Sequence, residues 1–258
     1  FTGTLGKIIN AEGKRVVPNG QTATLTVTVT GVEVTPIRVA CVGDSITYGD
    51  KAEAGESYPA VLQKLLGARY EVMNFGVCGA TAQSDKAPYV GSTPYTNSLA
   101  SNPDIVIMML GTNDSWNDYW NEEQFVSDYT SLIEEYMYLE NKPEGYLAIS
   151  PACYIESNIS AVTAKQREIA AELGIKTVDM YSFTENHGNW FADGVHPNAG
   201  GYALMARAFA NAVDLTAMKK ILLGTATAGE GVDLDMNDDK SVNILDFIKL
   251  KKAIIAEA

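Results

Sequence analysis

Ser45 stands in Gly43-Asp44-Ser45-Ile46-Thr47, directly after a short apolar run, where a tight turn would lift its hydroxyl above the end of a strand. A serine nucleophile needs a base that titrates near neutrality, and histidine is the usual one. The chain has two. His187, in Glu185-Asn186-His187-Gly188-Asn189, has no carboxylate at a telling offset and reads as a solvated loop residue. His196 lies in Asp193-Gly194-Val195-His196-Pro197, where Asp193, three residues upstream, could reach the imidazole and set its tautomer. Acyl transfer also needs donors for an oxyanion, typically backbone amides in a turn or an asparagine side chain. Two segments offer them: Asn74-Phe75-Gly76-Val77-Cys78-Gly79-Ala80-Thr81 and Gly111-Thr112-Asn113-Asp114. Taken singly, each segment also has a plain structural reading, as a helix cap or as ordinary Gly/Asn turn chemistry.

The elements that would position these residues follow from hydrophobic patterning. Ile37 to Val42, Tyr70 to Phe75, Ile105 to Leu110, Tyr146 to Ser150 and Thr177 to Met180 read as five strands. Amphipathic helical patterns cover Tyr58 to Leu66, Glu122 to Leu139, Ala161 to Leu173 and Asn198 to about Ala212. This alternation predicts an α/β fold with a parallel sheet covered on both faces. In such sheets ligands gather beyond the carboxyl ends of the strands, which is where the serine, the glycine turn and the asparagine fall.

The four segments GDS, NxGxxGxT, GTND and DGVHP, in that order, resemble the SGNH (GDSL-type) hydrolase family over roughly Arg38 to Val213. The resemblance implies a three-layer α/β/α flavodoxin-like sandwich with a five-stranded parallel sheet. It implies Ser45 as nucleophile, His196 as base, and Asp193 orienting that base. The oxyanion donors it implies are the Ser45 amide, the Gly79 amide and the Asn113 side chain, and no cofactor is expected for catalysis. Family members remove acetyl groups from xylan, pectic chains or sialic acid, or cleave lysophospholipids and thioesters. Trp116, Trp120 and Trp190 lie beside these blocks, as do Tyr48 and Tyr119; the three tryptophans are candidates for stacking on a sugar, and the alternative is that such rings cover loop edges of the core.

Composition bounds the rest. With 258 residues, 46% of them hydrophobic, there is enough apolar surface for one substantial core and a small appendage. A formal charge of -13 would repel a phosphate backbone or an anionic bilayer, which argues against nucleic acid and membrane partners. No apolar run is long enough to span a bilayer, and the first residues lack a signal-peptide pattern, so a leader would precede this numbering. Cys41, Cys78 and Cys153 are odd in number and widely spaced, and are expected to be small buried side chains. The Thr/Val-alternating stretch Gln21 to Val34, after Pro18-Asn19-Gly20, predicts an N-terminal β segment within residues 1-36, read as a hairpin or a linker stub.

The acidic tail carries a second signal. Asp235, Asn237, Asp239, Ser241, Asn243 and Asp246 place oxygen ligands at positions one, three, five, seven, nine and twelve of an EF-hand-like calcium loop, Ser241 through its carbonyl. Lys240 stands where glycine is usual. The stretch from Val213 to Leu222 also aligns with Leu245 to Ile254, and this repeat with the loop resembles a type I dockerin in which only one half keeps its ligands. That resemblance implies Ca2+, a scaffold cohesin as partner, and a secreted, cellulosome-associated enzyme acting on acetylated cell-wall polysaccharide. The expected organisation is thus 1-36, a catalytic domain over 37-213, and a dockerin-like segment with a small helical calcium-loop appendage over 214-258. The alternatives are a general short-chain or lysophospholipid esterase, and a docking component with an inactive hydrolase fold.

Overall fold

The computed structural model describes residues 35-222, with the helical backbone alone for 215-222. The expected N-terminal β segment and the loop 235-246 lie outside the described residues. Five strands, β1 (Ile37–Gly43), β2 (Tyr70–Gly76), β3 (Ile105–Met109), β4 (Glu144–Ile149) and β5 (Lys176–Asp179), pair in parallel in the order β2-β1-β3-β4-β5. Seven helices connect and follow them: α1 (Ser45–Tyr48), α2 (Tyr58–Leu66), α3 (Thr93–Ala100), α4 (Glu122–Met137), α5 (Ile159–Leu173), α6 (Met180–Thr184) and α7 (Ala199–Leu222). This is the expected three-layer α/β/α arrangement of flavodoxin-like order.

Strand β3 is an unbroken apolar run and β1 is apolar and buried from Val39 to Val42, because helices cover both of their faces. Their side chains divide by parity. Val39, Cys41, Ile107 and Met109 join Tyr58 and Leu62 of α2 and Tyr202 and Phe209 of α7 on one face. Ala40, Val42, Val106 and Met108 join Phe125, Tyr129 and Ile133 of α4 and Val162 and Ile169 of α5 on the other. A one-residue slip of β1 would exchange these two sets, so its register is set by burial. The edge strands β2 and β5 are only partly buried and carry charged residues, which discourages further strand pairing.

Two helices were not legible from hydrophobic period. The Ser92 hydroxyl accepts the Tyr95 N–H at 3.1 Å at the start of α3, and Pro94 occupies its first turn. Met180 opens α6 instead of closing β5, since the Asp179 carboxylate accepts the Ser182 N–H and ends the strand there. α4 stops at Met137, two residues short of the expected Leu139, and α5 starts at Ile159, two before Ala161. α7 continues past Ala212 to Leu222. Of the cysteines, Cys41 is buried, Cys153 is partly buried, and Cys78 is exposed, contrary to expectation. Cys78 lies on the turn beyond β2, outside the layers that would have covered it.

Candidate active site

β1 and β3 run side by side, and their connections turn toward opposite edges of the sheet, so the loops after β1, β2 and β3 open around one crevice at the carboxyl ends of the strands. Ser45 follows β1 directly, as the first residue of α1. Asp44 caps that helix, its Oδ1 accepting the Ile46 N–H at 2.9 Å, and the resulting turn aims the Ser45 hydroxyl across the crevice. Burial pushes the Asp44 carboxyl up to about 7, against the Ile46 bond.

His196 and Asp193 arrive on the loop ahead of α7. Asn198 fixes that loop: its Oδ1 accepts the Gly201 N–H at 3.0 Å and its Nδ2 donates to the Asn189 carbonyl at 2.8 Å. The Ala192 N–H donates to the His196 carbonyl at 2.8 Å, which closes the loop on itself. Within it, Asp193 Oδ1 accepts the amides of Val195 (3.0 Å) and His196 (2.7 Å), while Oδ2 stands 2.8 Å from His196 Nδ1. His196 Nε2 in turn lies 2.9 Å from Ser45 Oγ. Burial works to raise the Asp193 carboxyl, but the His196 amide and imidazole and the Val195 amide outweigh it and hold the group at about 2. An ionised Asp193 therefore accepts a hydrogen bond from the Nδ1–H, which keeps the ring proton on that nitrogen and leaves Nε2 free to accept the serine proton.

The expected donors lie on the loops after β1, β2 and β3. Gly79 adopts φ +77°, a left-handed turn conformation open to glycine, and among the described residues its N–H has no acceptor. Ser45, in the first turn of α1, has no intrahelical acceptor for its own N–H. Asn113 Nδ2 donates one hydrogen to the Ala80 carbonyl at 2.9 Å, and its Oδ1 accepts from Trp116 Nε1 at 3.4 Å. The amide is thus held in one orientation with a second N–H available. Asn113→Ala is expected to lower kcat on the order of a hundred- to a thousandfold with little change in KM, measured by steady-state ester hydrolysis.

Behind Asn113 the loop is held by a carboxylate whose role sequence reasoning missed. Asp114 is fully buried and accepts the Ala82 N–H at 3.1 Å and the Gln83 N–H at 3.0 Å, tying the loop after β2 to the loop after β3. Burial pushes its carboxyl up to about 6 despite these amides. On the other side Gly111, at φ +125°, packs so tightly that a Cβ would meet Gln166 Nε2, Ser150 Oγ and Val162 Cγ1, each at 2.9 Å. Gly111→Ala should cost about 2–4 kcal/mol of stability and displace Asn113, which urea unfolding together with kcat would register.

Compared with known proteins, residues 41-204 match the GDSL-like lipase/acylhydrolase family. The chain belongs to that family. Residues 210-255 match the dockerin type I domain, beginning within α7. An acetylxylan esterase of Xylanibacter ruminicola is 32% identical over 209 residues, covering 69% of this chain but only 43% of that relative. An acetylxylan esterase of Geobacillus stearothermophilus is 27% identical, covering 65% of this chain and 90% of the relative. Among solved structures, a lipase/acylhydrolase from Enterococcus faecalis superposes with a TM-score of 0.58 at 21% identity, over 68% of this chain and 94% of that one, and so shares the fold.

In this GDSL-like protein the three candidate tryptophans are used differently. Trp116 bonds directly to Asn113 and is partly exposed beside it. Trp120 packs against Phe125 at 5.4 Å between ring centroids, on the edge of the core. Trp190 carries the His187 imidazole stacked on one face at 3.8 Å and packs against Phe183 at 5.4 Å, so the stacked face is closed to a sugar. The rim is completed by a segment the sequence did not single out: the Tyr154 N–H donates to the Gly194 carbonyl at 2.7 Å and the Asn158 N–H to the Ser115 carbonyl at 2.7 Å. Tyr154 and Ile155 are exposed on this bridge, and Tyr48 is exposed beyond the serine turn.

Proposed function

We propose that this chain is a serine esterase that removes short acyl groups, chiefly acetyl, from carbohydrate through an acyl-enzyme on Ser45. The observation that carries this reading is the continuous line of contacts from Ser45 Oγ through His196 to Asp193. As the Ser45 oxygen attacks the ester carbonyl, its proton passes to His196 Nε2, and the negative charge gathering on the carbonyl oxygen meets the Ser45 and Gly79 amides and the free Asn113 N–H. The imidazolium, stabilised by Asp193, returns the proton to the departing sugar oxygen. Water activated by the same nitrogen then releases the acid.

Both acetylxylan esterases that resemble this chain, together with the dockerin match, favour cell-wall carbohydrate as the substrate. In the tail, Asp235, Asn237, Asp239, Ser241, Asn243 and Asp246 form an all-oxygen donor set of the kind a hard cation such as calcium selects, and would hold the cohesin-binding segment in shape. Docking on a scaffold cohesin, which the dockerin match supports, would put the protein outside the cell. Among the described residues no helix is long and apolar enough to cross a membrane. Calorimetry with calcium and then with a cohesin tests the docking half: heat with calcium but none with cohesin would leave the tail a structural element only.

Acetate release from acetylated xylan, alongside a chain-length series of nitrophenyl esters, tests the catalytic half. Release from xylan with a preference for acetyl supports the reading. Activity on nitrophenyl esters alone, rising with chain length, would turn it toward a general short-chain or lysophospholipid esterase.

A further inference from the structure

Asp50 is not part of the four family segments, yet its carboxylate faces the base. Its N–H donates to the Ser45 carbonyl at 2.9 Å, and its own carbonyl accepts the hydroxyl of fully buried Tyr202 at 2.7 Å. Its Oδ1 accepts the Lys51 N–H at 2.9 Å. The remaining oxygen, Oδ2, stands 3.5 Å from His196 Nε2, the ring nitrogen turned away from Asp193. Nε2 therefore faces two oxygens, Ser45 Oγ at 2.9 Å and Asp50 Oδ2 at 3.5 Å. The Asp50 side chain is 41% exposed, so a ligand in the crevice can reach it.

The position of the leaving group follows from the chemistry. Nε2 returns its proton to the departing oxygen, which must then lie within hydrogen-bond reach of that nitrogen. On a sugar ring, the hydroxyl on the neighbouring carbon is gauche or nearly so to the ester oxygen and lies about one hydrogen-bond length from it. A leaving oxygen at Nε2 thus brings its neighbouring hydroxyl within range of Asp50 Oδ2. Resting on the carbohydrate-esterase reading above, we propose that Asp50 is a specificity-determining residue that accepts a hydrogen bond from the free hydroxyl next to the scissile ester. The site so formed favours partially acetylated sugars bearing a free vicinal hydroxyl. Hydrogen bonds to an ionised carboxylate are among the stronger ones, and a partner lacking the donor forfeits about ten- to a hundredfold in kcat/KM.

The test uses the full chain and two monoacetylated methyl xylosides, one with the neighbouring hydroxyl free and one with that hydroxyl replaced by hydrogen, below neutral pH to slow acyl migration. The wild type should favour the hydroxylated substrate by about ten- to a hundredfold, Asp50→Ala should bring the ratio of kcat/KM close to one, and Asp50→Asn, which keeps an uncharged acceptor, should fall between. Circular dichroism and thermal melts of each variant check that the fold is intact. A wild-type ratio near one, or an undiminished ratio in Asp50→Ala, overturns the role of Asp50 while leaving the esterase reading standing. Absence of hydrolysis of either xyloside by a wild type active on nitrophenyl acetate overturns the carbohydrate reading, and the Asp50 proposal with it.

Discussion

Ser45→Ala is expected to lower kcat on the order of 10⁶-fold against any ester the wild type cleaves, with the fold intact. The size follows from the loss of the attacking atom: the Ser45 hydroxyl lies 2.9 Å from His196 Nε2, and no acyl-enzyme forms without it. The helix start should survive, because the side chain that caps α1 belongs to Asp44. Nor is there a ready substitute nearby. Thr47 shares its hydroxyl with Tyr58 in the core, and the Cys78 thiol is pushed up by partial desolvation and by the Asp50 carboxylate, which disfavours the thiolate a nucleophile would need. Burst kinetics with nitrophenyl acetate and a thermal melt check both halves. Hydrolysis retained at a tenth of the wild-type rate by a clean preparation would show that another group attacks.

The second large effect is at Asp193. An asparagine there keeps the shape but offers an N–H to the loop or the ring where the carboxylate accepted, so His196 is driven toward the tautomer with its proton on Nε2. That nitrogen then cannot take the serine proton, and kcat should fall about 10⁴-fold. The same carboxylate couples the fold to acid. Its value in the folded chain, about 2, lies below the ordinary aspartate value of 3.8, so the stabilisation is complete above the ordinary value and drains away as pH falls through the folded one. Urea unfolding between pH 5 and pH 2, a window set by those two values, should show the wild type losing stability more steeply than Asp193→Asn. Equal slopes would mean that the loop amides do not favour the charged carboxylate.

The central strands were readable because β1, β3 and β4 carry short, nearly continuous apolar runs bounded by polar or glycine turns, the signature of strands covered on both faces, whereas the edge strands β2 and β5 are poorer in apolar content and were placed by their spacing between helical segments. α2, α4 and α5 were readable from their apolar stripes. α3 was not, since it buries only Ser98 and its sequence carries little periodicity; its Ser92 cap and Pro94 are the signals that mark it. α6 is a single turn started by an Asp179 cap, too short for a period to show. Cys78 reads as a small hydrophobe by residue type, but its place on the turn after β2 exposes it.

The chemistry divides in the same way. Residue type and local spacing marked the serine turn, the Asp193–His196 pair, the glycine turn and the Asn113 block as candidates, because each rests on a few adjacent residues whose geometry is set by short-range sterics and hydrogen bonds, and their roles came from the resemblance that the four segments carry together. The expected tryptophans differ: Trp116 meets Asn113, whereas Trp190 is stacked by His187 and Trp120 leans on Phe125, since ring exposure depends on which neighbours arrive across the fold. Asp114, Asp50 and the Tyr154–Asn158 bridge acquire meaning only through partners far off in the chain. Asp114 holds amides 31 and 32 residues away. Asp50 faces an imidazole brought to it by the buried packing of α7 on α2 and the sheet. Local forces select what a segment can do; only the closed core, through contacts that no single segment contains, decides which of those groups face one another.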